Sequence, residues 1–206
     1  MSSFPTKNIT FRYVLALGLI ALLSISAYVI LYRMVASQED TAAVINISGS
    51  QRWLSQRAAV YSLRLVTSHN KTEREGFRQE LLQISNRMKD NQDGLIHGNS
   101  SMHLFGNPSP QIRAMYFNPP LLLDKQIHNY IAAIRALIHD TDDKLTRNNP
   151  HLRYLLSASA SKLIKSLDAA VKQYQTECEA NSMKLQKMEK GALGFTLFVL
   201  FMEALF

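Results

Sequence analysis

The chain holds a single cysteine, Cys178, in 206 residues, so no internal disulfide can form, and a thiol seated in a helix seam is the simple reading of it. Also missing are a phosphate-cradling glycine loop, a nucleophile elbow, a kinase motif and a nucleotide-cyclase signature. No room for a catalytic domain remains after Glu189. The sequence therefore reads as not an enzyme, with no cofactor. Metal chemistry is equally thin. None of His69, His97, His103, His128, His139 and His151 forms an i, i+4 pair, and Asp140, Asp142 and Asp143 lack the glycine and closing glutamate of a calcium loop. The net charge of +7 comes from Lys and Arg scattered among acids along the chain rather than gathered in a stripe, which argues against nucleic acid as a partner.

Between Leu19 and Ser48 there is neither glycine nor proline, so a helix begun there can run on without a break. Tyr13 to Tyr32 carries no charge and would form about 30 Å of helix, the thickness of a bilayer core. It reads as an uncleaved membrane anchor, being longer than a signal-peptide apolar region and lacking a small-x-small site. Lys7 and Arg12, unopposed by acid in residues 1–12, orient that end to the cytoplasm. A second apolar run begins at Gly191 and spans only about 24 Å of helix by Phe206. The expected organisation is a cytoplasmic N-terminus (1–12), a transmembrane helix (13–33), a periplasmic sensor domain (34–190) and a truncated second span (191–206), in the bacterial inner membrane.

Four helices are expected in the sensor domain. The first continues from the membrane to Ser68–Lys71. Thr72 with Glu75 forms a capping-box signature for the second, along which Phe77, Leu81, Ile84, Met88 and Leu95 recur. The stretch from Asn99 to Pro120, with Gly106, Pro108, Pro110, Pro119 and Pro120, is expected to be irregular. Ile127, Ile131, Ile134 and Ile138 stripe the third helix. Asn149 caps the fourth, with Pro150 at its first position, and nothing interrupts it before Gly191. The predicted fold is all-α: an antiparallel up-down-up-down four-helix bundle with flanking transmembrane helices.

The chemistry concentrates in INISGSQRWLSQR, Ile45 to Arg57. Ile45, Gly49, Arg52, Gln56, Ala59 and Leu63 share one face of the helix, while Ile47, Leu54, Ala58, Tyr61 and Leu65 lie opposite. A helix at the edge of a lone bundle needs one packing face, so the second points to a symmetry mate. Two Arg52 guanidiniums about 7 Å apart across a two-fold axis would repel by roughly 2 kcal/mol at an effective dielectric near 20, and an anion between them relieves this. Gly49 leaves room for close approach and Gln56 offers an amide. From spacing alone, pairing of Arg52 with an acidic side chain elsewhere in the bundle, or snorkelling to water, is the simpler account. Arg57 lies about 140° from Arg52 and is expected to make an ion pair or face water.

The run Ile45-Asn46-x-x-Gly49-Ser50-x-Arg52-x-x-Ser55-x-Arg57 resembles the periplasmic P-box of nitrate/nitrite sensor histidine kinases. Gln51 to Arg57, QRWLSQR, is still more similar to the N-terminal domain of type IV pili methyl-accepting chemotaxis transducers, within the broad NarX-like and PilJ-like sensor group. Leu54 and Gln56 follow the transducer pattern. Ile112 to Ile131 and Met202 to Phe206 resemble further parts of that family. The resemblance implies a homodimeric sensor in which the arginine at position 52 contacts nitrate or nitrite at the dimer interface. The expected function is a membrane-bound signal-transduction module that detects a small anion through Arg52, Gly49 and Gln56, its output domain not encoded here. The alternatives are a membrane-anchored protein-interaction module using the 99–120 loop, or a non-signalling truncated receptor.

Overall fold

The computed structural model describes the backbone of residues 6–205, and the side chains among them except those of 6–12, 15–16, 34, 36–41, 200 and 202–205. The described residues are all-helical. Six α-helices follow in chain order: α1 (Thr6–Thr67), α2 (Lys71–His97), α3 (Pro110–Phe117), α4 (Leu123–His139), α5 (Pro150–Ala160) and α6 (Lys162–Leu205). A single 3-10 turn covers Ser100–Met102. The chain divides into two compact units, residues 40–177 and residues 1–39 with 178–206.

In the first unit all six helices contribute to one core, α3 through Ile112 and Tyr116. Leu54, Ala58 and Leu65 of α1 meet Leu81, Ile84 and Met88 of α2, the Ile127, Tyr130, Ile134 and Leu137 stripe of α4, Leu152 and Leu155 of α5, and Leu163 and Leu167 of α6. Each fully buried aliphatic side chain contributes about 1.5–3 kcal/mol relative to exposure. The apolar face expected on α1 is the one that packs.

Three boundaries differ from the sequence reading. The cap of α2 is Asn70 rather than Thr72: its side chain accepts from the backbone N–H of Thr72 and Glu73, and Glu75 instead accepts from Gln79 at 3.0 Å. The segment expected to be irregular contains α3, because Ser109 caps it, Pro110 sits where its missing N–H costs nothing, and Ile112 and Tyr116 bury one turn apart. The expected fourth helix is two helices. The chain leaves helical geometry at Ser161 (φ −139°, ψ −92°), where the Ser161 hydroxyl donates to Ser157 O at 2.7 Å. Serine hydroxyls in the run Ser157-Ala158-Ser159-Ala160-Ser161 compete for helix carbonyls and favour a bend. The expected cap at Asn149 is present, accepting from His151 and Leu152 N–H.

The second unit comprises the start of α1 and the end of α6. Among the described residues no helix is long and apolar enough to cross a membrane. This overturns the expected placement in the bacterial inner membrane with a periplasmic sensor domain, and the flanking transmembrane helices of the expected architecture are not seen. The side chains of Lys7 and Arg12, on which the orientation rested, and those of Met202 to Phe206 lie outside the described residues.

Candidate functional site

The motif Gln51 to Arg57 works on both sides of α1. Inward, Leu54 is buried in the core, Gln51 donates from Nε2 to Met88 O on α2 at 2.9 Å, and the buried Tyr130 hydroxyl of α4 donates to Ser55 O at 2.6 Å. Ser55 in turn donates from Oγ to Arg52 O at 2.8 Å. These bonds fix the rotation of α1, and with it the direction in which Arg52 leaves the helix.

Outward, Arg52 and Gln56 are exposed and Gly49 is half-buried. A Cβ added to Gly49 would meet nothing within 4 Å, so the glycine leaves an open notch on the helix. Trp53, Val60 and Leu63 stand beside them, 48, 52 and 42% exposed. Of the expected outward set, Ala59 alone is buried. The structure thus brings Gly49, Arg52 and Gln56 onto one open face bordered by apolar side chains.

The Arg52 guanidinium is engaged. Its Nη1 lies 2.8 Å from Asp168 Oδ1 on α6, with the two side chains 54 and 49% exposed. This is the simpler of the two accounts available from spacing, an acidic partner elsewhere in the bundle. A pair so exposed is screened by water and contributes roughly 0–1 kcal/mol to stability, so an anion at Arg52 has a weak rival to displace. Asp168 is the residue that sequence reasoning missed. It is the only acid between Asp143 and Glu177, a signal that was legible there.

Arg57 takes no part in this face. It pairs with Glu80 of α2 at 3.0 Å and donates to the Tyr61 hydroxyl at 3.2 Å, while its guanidinium lies 5.1 Å from the Trp53 ring centre. The acidic turn after α4 is likewise structural: Asp142 receives Arg74 at 3.2 Å and Arg78 at 3.3 Å, and Asp140 accepts from Asn149 Nδ2 at 2.7 Å. Among the described residues no three His, Cys, Asp or Glu side chains gather to hold a metal ion.

The fold is a helical domain that buries one face of a long helix and presents Arg52, Gln56 and Gly49 on the other. The chain belongs to the PilJ family, the N-terminal domain of type IV pili methyl-accepting chemotaxis transducers, whose family model matches residues 34–167. This is a family of chemotaxis sensor and signalling modules. The matched family is the transducer side of the resemblance. No curated protein and no solved structure matches the chain.

Proposed function

We propose that the domain detects a small anion, with nitrate and nitrite as the first candidates, at the outward face of α1 formed by Arg52, Gly49 and Gln56. The observation that carries this reading is the half-exposed Arg52 guanidinium, held in direction by buried bonds yet opposed only by a solvent-screened carboxylate. In this reading α1, α2, α4 and the α5–α6 pair act as an antiparallel four-helix bundle. A second copy covers the open face, so that the two Arg52 side chains share the anion across a two-fold axis. Trp53, Val60 and Leu63 supply apolar contact around it.

Signalling follows from competition. Asp168 ties α1 to α6 while Arg52 is free of ligand; an anion takes the guanidinium and releases that tie. The ligand then shifts the population towards the arrangement with α1 and α6 uncoupled, by no more than its differential affinity for the two states. Isothermal titration of the 206-residue chain with nitrate, nitrite and a panel of other small anions tests this. Saturable binding abolished by Arg52→Ala is expected; binding that survives the substitution refutes the site.

A protein partner is the competing reading, favoured by one observation. Phe105 is 77% exposed directly after a turn closed by Asn99 N–H to Leu104 O at 2.7 Å. If that loop is the receptor surface, Phe105→Ala abolishes signalling and Arg52→Ala does not.

A further inference from the structure

A cavity of about 440 Å³ opens between the start of α4 and the α5–α6 junction, within the roughly 300–1,000 Å³ range of small-molecule sites. It lies in the unit of residues 40–177 and includes none of Gly49, Arg52 and Gln56. Its walls are apolar, with Leu122, Ala158 and Leu163 among them, and the Tyr154 ring borders it. Two lysines also line it, Lys125 on α4 and Lys162 on α6. Neither lysine has an ion-pair partner among the described residues.

Two backbone irregularities meet at this cavity. Leu122 adopts the left-handed conformation (φ +49°, ψ +47°) with no side-chain cap for α4, a geometry that is costly for a branched residue. It is steadied from one side by Gln126, which donates from Nε2 to Leu121 O at 2.6 Å and to Ser166 Oγ at 3.1 Å. On the other side the chain breaks from helix at Ser161. An unbroken α5–α6 helix would carry Lys162 and Leu163 round to different bearings, so the break sets the wall they form.

We infer that this cavity is a second binding site, for an organic monoanion with an apolar, planar body. The body would lie against Leu122, Leu163 and the Tyr154 ring, and the carboxylate would sit between the Lys125 and Lys162 ammonium groups. Such a ligand bridges α4 and α6 across the Ser161 break. The site is independent of the anion site at Arg52 and takes a different class of ligand, one with an apolar body rather than a bare oxyanion.

The probe is 2-naphthoate, with the neutral 2-naphthamide as its isostere, titrated into the 206-residue chain and followed by calorimetry. Naphthoate should bind with one site per chain and about tenfold more tightly than the amide, as expected for two partly solvated charge pairs. Lys125→Gln with Lys162→Gln, both exposed positions, should erase that preference while the amide binds as before. Ala158→Met, which fills the cavity, should abolish both, its helix content being checked by circular dichroism. Arg52→Ala should change neither. Naphthoate binding that persists in both the lysine pair and Ala158→Met places the ligand elsewhere on the chain and overturns the inference, as does equal affinity for acid and amide. Loss of binding in Arg52→Ala would show a single anion site and overturn the independence claimed for this one.

Discussion

Replacing Asp168 by Asn isolates the competition at Arg52. The substitution keeps the shape of the side chain and removes its charge from a contact of 2.8 Å. Two unit charges about 4 Å apart attract by about 1 kcal/mol in bulk water, and exposed pairs measured by double-mutant cycles reach roughly 0.2–1 kcal/mol. With both side chains about half exposed, the upper end of that range is the ceiling. Asp168→Asn should therefore cost at most about 1 kcal/mol of stability. An anion that must forfeit the pair in the parent protein forfeits nothing in the variant, so its affinity should rise by up to about fivefold, since 1.4 kcal/mol is tenfold. Calorimetric titration of the parent, Asp168→Asn, Arg52→Ala and the double variant with the same anion closes the cycle. The double variant should behave as Arg52→Ala does, without saturable binding. An affinity unchanged or reduced in Asp168→Asn refutes the competition, because Asp168 would then be orienting the guanidinium for the ligand.

Two further outcomes test the fold beneath the site. Leu54→Ala removes a side chain that is 1% exposed and should destabilise the domain by about 2–5 kcal/mol, read as a lowered urea midpoint; a cost under about 1 kcal/mol would remove Leu54 from the core. Burial raises the phenol of Tyr116 well above its ordinary value, raises that of Tyr130, and pushes that of Tyr174 up to about 12. Unfolded phenols ionise near 10. The folded state thus holds its full stability from these groups below about pH 10 and loses it as pH rises through the folded values. Absorbance at 295 nm followed with circular dichroism should show the buried phenols ionising only as helix is lost. All eight tyrosines ionising in one step with helix intact would contradict their burial.

The helices that were legible in the sequence are those whose signals are local and repeated. The Ile127–Ile131–Ile134–Ile138 stripe of α4 and the Asn149–Pro150 start of α5 are each read from a few neighbouring residues of the chain. Helix α3 was hidden because its prolines were counted as breakers, although Ser109–Pro110 is itself a start signal. The break at Ser161 carries neither glycine nor proline. It arises from serine back-bonding, which periodicity does not register. The membrane placement rested on the uncharged run from Tyr13 to Tyr32 and on Lys7 and Arg12, whereas among the described residues no helix is long and apolar enough to cross a membrane. Arg52 was readable as the chemical centre of α1, and Asp168 as the lone acid of its stretch, but not their pairing. Asp168 stands 116 residues away, and only the packing of α1 beside α6 brings the two together.

The division of α1 into two faces has a consequence for how such a receptor can diversify. Gln51, Leu54 and Ser55 answer to α2, α4 and the core, whereas Gly49, Arg52 and Gln56 answer to nothing in the interior. Replacing an outward side chain therefore costs the fold little, whereas replacing Gln51, Leu54 or Ser55 disturbs contacts with α2, α4 or the core, so the chemistry of the open face can be changed without rebuilding the bundle beneath it.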